Sequence, residues 1–101
     1  MVKTSGGLPA IHPGEFLAEI LAELRVSQAE FARAVGVSSM RISHLIRGSR
    51  PVTAELALLF GKALGQSPEY WLNLQSAHDL AAARNAVARQ LKGMRPLPQV
   101  V

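Results

Sequence analysis

The 101-residue sequence contains no cysteine, so it can form neither a disulfide bond nor a thiolate metal site. Aromatic residues make up only 5% of it. No run of about 18 apolar residues is present, so we expect no membrane-spanning helix. The first 16 residues include one lysine, Lys3, but not the apolar segment of a signal peptide. We therefore expect a soluble, cytoplasmic protein.

Acidic residues are also few: there are seven, against eleven lysines and arginines, and the net charge is +4. The net charge is −2 over residues 1–24, +4 over residues 25–50 and +2 over the remainder. The positive charge is therefore densest in residues 25–50, where a basic stripe suits a polyanion such as DNA. A basic face that is merely solvated is the alternative.

Apolar residues recur at helical spacing, and no strand pattern of any strength is present. The spacing predicts an all-α domain of five helices. We expect a flexible lead over residues 1–12, a folded domain over residues 13–92 and a flexible tail over residues 93–101. The first helix begins at Pro13, a residue suited to a first helical turn, and its apolar side is formed by Phe16, Leu17, Ile20, Leu21 and Leu24.

Two short helices joined by a turn are predicted within residues 27–48. Ser27 and Glu30 have the spacing of a capping box, which marks the start of a helix. Gly36 suits the left-handed position that ends this helix. Ser38 then caps a third helix, which runs to about Arg47.

Two further helices follow a loop over residues 49–52. Thr53 can cap the fourth helix, and Gly65 can end it. The fifth begins at Ser67 and Pro68, a cap followed by a proline in the first turn. It continues through an alanine-rich stretch, and alanine favours helix. We therefore expect an extended C-terminal helix.

The third helix has two unlike faces. With a rotation of about 100° per residue, its polar and cationic side spans an arc of roughly 140°, formed by Ser39, Met40, Ser43, His44 and Arg47. Ile42 and Leu45 lie on the opposite, aliphatic side. Such a helix can pack on its own domain with one face and enter the major groove of DNA with the other. An ordinary amphipathic helix with a solvated face is the alternative.

The sequence offers little for catalysis or metal binding. His12, His44 and His78 are too scattered to suggest a metal site, and nothing orients Glu69 and Asp79 as an acid pair. There is no phosphate-binding Gly-rich loop and no nucleophile elbow. We expect neither an enzyme nor a bound cofactor or metal.

Residues 27–48, SQAEFARAVGVSSMRISHLIRG, resemble the helix-turn-helix of the Cro/C1 phage repressors, the XRE family. HPGEFL at residues 12–17, KALG at residues 62–65 and SPEYWLNLQ at residues 67–75 resemble the HigA antitoxins. This resemblance, over about residues 11–80, implies a lambda-repressor-like fold. It also implies an antitoxin that binds a palindromic operator as a homodimer, represses its own operon and neutralises an mRNA-cleaving, HigB-type toxin.

The exposed face of the third helix and the resemblance together predict roles for individual residues. Bases of double-stranded operator DNA are expected to be read by Ser39, Met40, Arg41, Ser43 and His44. Phosphates are expected to be contacted by Gln28, Ser38, Arg47 and Arg50. The dimer interface is expected to contain Trp71, Leu74, Ala77, Leu80 and Ala81. Many repressors have glutamines where this chain has Ser39 and Met40, so their operator sequences cannot be carried over.

Several alternatives stay open on the sequence alone. Trp71 can fill the core instead of an interface, and the alanines of the fifth helix can simply favour helix. An acidic ridge on the first helix either is solvated or meets a basic toxin; it consists of Glu15, Glu19 and Glu23. The protein as a whole can also be a stand-alone XRE-family regulator without a toxin, or an interaction module that no longer binds DNA.

Overall fold

The computed structural model describes residues 11–98, which form six helices and no strand. The helices are α1 (Pro13–Leu24), α2 (Gln28–Val35), α3 (Ser39–Ile46), α4 (Ala54–Leu64), α5 (Pro68–Ala86) and α6 (Ala88–Gly93). The predicted all-α class is confirmed. None of the helices in the described residues is long and apolar enough to span a membrane. Most of the predicted lead and the end of the predicted tail lie outside the described residues.

Hydroxyl side chains begin four of the helices. The side chains of Ser27, Ser38, Thr53 and Ser67 each accept a hydrogen bond, at 3.0–3.2 Å, from the backbone N–H three residues later. The carboxylate of Glu30 reaches back and accepts from the Ser27 N–H at 2.8 Å, which confirms the predicted capping box. Each such cap stabilises its helix by about 1 kcal/mol.

The first helix begins with a histidine cap. Nδ1 of His12 accepts a hydrogen bond from the Gly14 N–H at 2.9 Å, and Pro13 occupies the first helical turn. The His12 side chain is buried, with 9% of its surface exposed. The predicted boundary after residue 12 is therefore corrected: His12 belongs to the folded domain, because it caps α1 and is packed inside.

Left-handed residues end three of the helices. Gly36 and Gly65 take φ values of 78° and 71°, as predicted. Arg25 takes the same conformation after α1, with φ 57°, although it is not a glycine. Leu24, which was predicted on the apolar side of α1, is 55% exposed, so the end of that helix projects beyond the core.

The core is built from apolar side chains of the first five helices and the loop before α4. At its centre, the rings of Phe60 and Trp71 meet edge to face with their centroids 5.3 Å apart. Trp71 has no exposed surface in the protomer. Trp71 therefore fills the core, which is the alternative that the sequence left open, and it offers no exposed surface of its own to a second protomer. The buried apolar residues are Leu17, Leu21, Phe31, Ala32, Val35, Ile42, Leu45, Val52, Leu56, Ala57, Phe60 and Trp71.

The α1 and α3 backbones approach each other closely at Gly14. A Cβ atom at this position would overlap the carbonyl oxygen of Leu45 and lie 2.9 Å from the Cα of Ile46. These are backbone atoms, which cannot swing away as a side chain can. The absence of a side chain at Gly14 therefore sets where α1 crosses the helix that was predicted to face DNA.

The single extended C-terminal helix that was predicted is divided at Val87. This residue has φ −113° and ψ 18°, outside the helical range, and α6 resumes after it. The Val87 N–H still donates to the Ala83 carbonyl at 3.0 Å, so the hydrogen-bond pattern of α5 extends to this residue. The side chains of residues 82–98 are all exposed. The described residues measure 53 × 32 × 23 Å, and we attribute this elongation to the C-terminal end.

Candidate nucleic-acid interface

Helix α3 carries the two unlike faces that its sequence predicts. Ile42 and Leu45 are fully buried in the core. On the other side, Ser43 and His44 are half-buried, whereas four side chains are exposed: Ser39, Met40, Arg41 and Arg47. Met40 is 67% exposed, which is high for a large apolar side chain and leaves it free to contact a partner.

The elements around α3 set its position in the domain. Ser38 caps its first turn, where its hydroxyl oxygen accepts from the Arg41 N–H at 3.1 Å. Arg47 ends the helix with φ −79° and ψ −1°, and Gly48 follows in the left-handed conformation with φ 82°. With the Gly14 crossing on its inner side, α3 presents its polar face outward.

A cleft of about 390 Å³ opens between α3, the loop that follows it and the start of α4. It brings together five of the predicted DNA-contacting residues: Ser38, Met40, Arg41, His44 and Arg50. Leu45, Pro51 and Leu56 also line it. The cleft thus combines positive charge with apolar surface, and it can accept an anionic group next to an apolar one. Ser39, Ser43, Arg47 and Gln28 lie outside it.

The predicted phosphate-contacting side chains are all exposed. Ser38 uses its oxygen as an acceptor for the helix cap, which leaves its O–H free to donate to a phosphate. Gln28 is the first residue of α2, where the positive end of the helix favours an anion. At the same helix end, hydrogen bonds from Ser27 hold the pKa of the Glu30 carboxyl below its usual value. Its negative charge therefore opposes a phosphate placed too close.

The remaining dimer-interface candidates occupy one stripe of α5. Leu74 is half-buried and packs against the core, and Ala81 is half-buried. Ala77 is exposed, and Leu80 is 52% exposed. Unlike Trp71, these side chains retain surface that a second protomer can cover. Further exposed apolar side chains that the sequence analysis did not single out are Leu91, Met94 and Leu97.

A polar cluster that could not be predicted from the sequence packs against the loop between α3 and α4. His12 and His78, which lie far apart in sequence, meet edge to face with their ring centroids 4.8 Å apart. Gln75, only 7% exposed, accepts from the Val52 N–H at 2.7 Å. Among the described residues, no group of three side chains is arranged to hold a metal ion. The Pro-Gly sequence after His12 could have indicated that His12 caps a helix. No residue near Gln75 in the sequence indicates that its side chain is buried and hydrogen-bonded.

The environment of His12 favours its neutral ring. Burial lowers the pKa of His12 from its usual value of 6.5, and the neighbouring His78 lowers it further. Asp79, Glu15 and the backbone of Arg50 act in the opposite direction, but more weakly. A neutral ring is also what the α1 cap requires, since Nδ1 can accept from the Gly14 N–H only when it carries no proton.

Known sequences are similar to this one over most of its length. A family model described as Helix-turn-helix matches residues 17–71, more than half of the chain. The Escherichia coli K12 protein YddM, an uncharacterised HTH-type transcriptional regulator, is 43% identical over 75 residues, which are 74% of this chain and 80% of that protein. Antitoxin HigA-1 of Vibrio cholerae is 39% identical over 85 residues, which are 83% of this chain and 80% of that protein.

Solved structures show the same architecture. A HigA-family addiction module antidote protein from Coxiella burnetii has a TM-score of 0.84 at 36% identity, with 89% of this chain and 100% of that chain covered. Pseudomonas aeruginosa antitoxin HigA, solved with the higBA promoter, has a TM-score of 0.83 at 37% identity, with 88% and 99% covered. The chain therefore belongs to the Cro/C1-type, or XRE, helix-turn-helix family, among the HigA-type antitoxins and DNA-binding regulators, and not to a family of enzymes.

Proposed function

We propose that this protein is a HigA-type antitoxin that binds the operator of its own toxin–antitoxin operon in the cytoplasm and represses it. The observation that carries this proposal is α3, whose inner face is fully buried while its outer face is polar, cationic and free. The similarity to an antitoxin solved with its promoter supports the same assignment. No cofactor is needed for this activity.

In this proposal, α3 acts as the recognition helix and enters the major groove. Base edges are read by Ser39, Met40, Arg41, Ser43 and His44, whose hydroxyl, imidazole, guanidinium and apolar groups suit the groove's pattern of donors, acceptors and thymine methyls. The register on the duplex is set by phosphate contacts from Gln28, Ser38, Arg47 and Arg50.

A gel shift with the DNA upstream of the protein's own gene tests operator binding. The variant Arg41→Ala should bind less tightly, because it loses an exposed cation beside the cleft. Arg89→Ala is the matched control, since Arg89 is an exposed arginine on α6 rather than on α3. No retardation by the wild-type protein, at salt where specific complexes persist, would contradict the proposal and leave the interaction module without DNA binding.

Dimerisation through the stripe on α5 would give a two-fold symmetric reader. Two recognition helices about 34 Å apart, one turn of DNA, fit the half-sites of a palindrome. Leu80→Glu should give a monomer in sedimentation, because it places a charge on the exposed part of the stripe. Leu58→Glu is the control, since Leu58 is 61% exposed but lies on α4. If the L80E variant remains dimeric, this surface is not the interface.

The acidic ridge on α1 is the proposed contact for the toxin, an mRNA-cleaving protein of HigB type. Glu15, Glu19 and Glu23 are all exposed, and a basic ribonuclease surface would be attracted to them. Reversing all three to lysine should weaken toxin binding, whereas Glu69→Lys, an exposed position on α5, should not. Equal affinities of the triple variant and the wild-type protein would remove the ridge from the interface.

A stand-alone XRE-family regulator without a toxin is the second candidate. The similarity to YddM, which is named only as a transcriptional regulator, favours it. Both candidates require operator binding, so the gel shift does not separate them. A neighbouring short gene for a basic protein whose toxicity this chain suppresses would favour the antitoxin, and its absence would favour the regulator.

A further inference from the structure

Two side chains from distant parts of the sequence contact the loop between α3 and α4. Its Val52 N–H donates to Oε1 of Gln75, on α5, at 2.7 Å. The His12 ring lies beside Gly48 of the same loop, and the backbone of Arg50 acts to raise its pKa. Nδ1 of that ring accepts from Gly14, so the proton of the neutral ring is on Nε2, the nitrogen that remains available to the loop.

These two anchors are joined to each other. Nε2 of Gln75 donates to Oδ1 of Asp79 at 2.9 Å, and the same oxygen lies 3.5 Å from Nδ1 of His78. The His78 ring in turn packs edge-on against His12. A series of contacts therefore leaves the loop at Val52 and ends at the His12 ring, which lies beside Gly48 of the same loop. Its buried members are hydrogen-bonded, as buried polar groups must be.

The choice of residues at the two anchors is informative. Serine, threonine, aspartate and asparagine are the preferred helix caps, and serine or threonine fills the role at four other helices of this chain. Histidine is not one of these preferred caps, but the side chain of His12 is longer than theirs and reaches the loop. Gln75 likewise occupies a buried position of α5 where an apolar side chain would fill the space.

The loop carries or adjoins the two arginines that are proposed to contact phosphates. Arg47 and Arg50 are both exposed, and Gly48 packs near the His12 ring, whose Cγ lies 3.7 Å from where a Gly48 Cβ would be. A loop that is ordered before binding loses less conformational entropy when it binds. Holding the loop backbone at Val52 and packing His12 against Gly48 therefore favours binding through the loop.

We propose that His12 and Gln75 are positioning residues for operator binding: they hold the loop backbone so that Arg50 stands ready at a DNA phosphate. This inference rests on the proposed operator binding and adds the residues that prepare it. Neither His12 nor Gln75 lines the cleft, and neither is proposed to contact DNA.

The substitution His12→Asn separates the two roles of the histidine. Asparagine is a preferred cap and can accept from the Gly14 N–H, but its side chain is too short to reach Arg50. The thermal midpoint should therefore stay near that of the wild type. Operator affinity should fall roughly two- to tenfold, the effect of ordering one long side chain during binding instead of before it. Gln75→Met, which is similar in length but cannot bond Val52, should show the same fall.

A double-mutant cycle with Arg50→Ala distinguishes a positioning role of His12 from a general weakening of DNA binding. If His12 acts through Arg50, H12N should change affinity little once Arg50 is gone, and H12N alone should flatten the salt dependence of binding as R50A does. In an Arg41→Ala background, which alters α3 and not the loop, the H12N effect should remain complete. His12→Ser, another small cap, repeats the cycle if H12N does not fold.

Two results would overturn the inference alone: operator affinity of H12N and Q75M equal to that of the wild type, or full multiplication of the H12N and R50A effects. A wild-type protein that does not bind its own upstream DNA would overturn the proposed function and this inference with it. The two failures are therefore distinguishable.

Discussion

Replacing Gly14 by alanine should displace α1 from α3 and thereby disturb the proposed recognition helix. The added Cβ would overlap the Leu45 carbonyl oxygen and lie 2.9 Å from both the Leu45 carbonyl carbon and the Ile46 Cα. Every one of these atoms belongs to the backbone. The clash can be relieved only when one helix moves, since no side chain is available to rotate away.

The expected cost follows from the kind of clash. An overpacked contact inside a domain destabilises it by roughly 1–3 kcal/mol. The preference of alanine for helix offsets at most about 1 kcal/mol of this. For a domain of this size, 1 kcal/mol corresponds to roughly 4–8 °C in the thermal midpoint. We expect circular dichroism to show a thermal midpoint lowered by roughly 5–15 °C. Operator affinity, measured well below that midpoint, should fall at least about tenfold, because several base contacts worth roughly 1–3 kcal/mol each would shift together.

Two other glycines serve as controls. A Cβ at Gly61 would lie 2.5 Å from the Gln66 carbonyl oxygen, so Gly61→Ala makes a similar clash at the α4–α5 turn, away from α3. It should lower the midpoint but leave operator affinity unchanged in the folded protein. Gly93→Ala meets no atom within 4 Å and should not destabilise. An unchanged midpoint for G14A, or equal losses of affinity in G14A and G61A, would refute the reasoning.

Three further predictions concern charge, base reading and pH. Arg47→Ala should weaken binding to every DNA sequence and reduce the salt slope by about one unit; titrations at several salt concentrations check this, and an unchanged slope would exclude a phosphate contact. A substitution at Ser39 or Met40 should change the preferred operator at a cost of roughly 1–3 kcal/mol per lost base contact; selection from a randomised DNA library that returns the wild-type preference would exclude base reading there. Burial holds the pKa of His12 below 6.5 in the folded state, so the neutral ring contributes stability that is complete above pH 6.5 and is lost as the pH falls through the folded pKa. The free energy of unfolding, measured from pH 7.5 to pH 5, should therefore drop more steeply for the wild-type protein than for H12N. Parallel curves for the two proteins would contradict this prediction.

Features made within a few residues could be predicted from the sequence. The Ser27–Glu30 capping box depends on two side chains three residues apart, and the left-handed Gly36 depends on the backbone freedom of glycine. A short stretch of sequence is enough to predict both. The two faces of α3 follow from its periodicity alone. Arg25 escaped prediction because a non-glycine residue rarely takes its left-handed conformation.

Features made between distant segments could not be predicted in the same way. The cleft exists only where α3, the following loop and α4 meet, so no single stretch encodes it. Gln75 and Val52 are 23 residues apart, and a glutamine inside a helix gives no sign of its partner. Trp71 showed a related ambiguity: a large aromatic residue on an amphipathic helix suits a core as well as an interface, and only the packing around it decides.

The brevity of α2 and α3 has a consequence for how this protein can be switched off. Each has eight residues, fewer than the roughly 12–15 that an isolated helix needs to persist in water. The proposed DNA-reading surface therefore depends on the rest of the domain for its structure. Small domains usually unfold cooperatively, so we expect unfolding of the domain core to remove the proposed operator binding as a whole. Repression would then last as long as the protein stays folded, so the rate at which the protein is unfolded or degraded would set how long its operon is repressed.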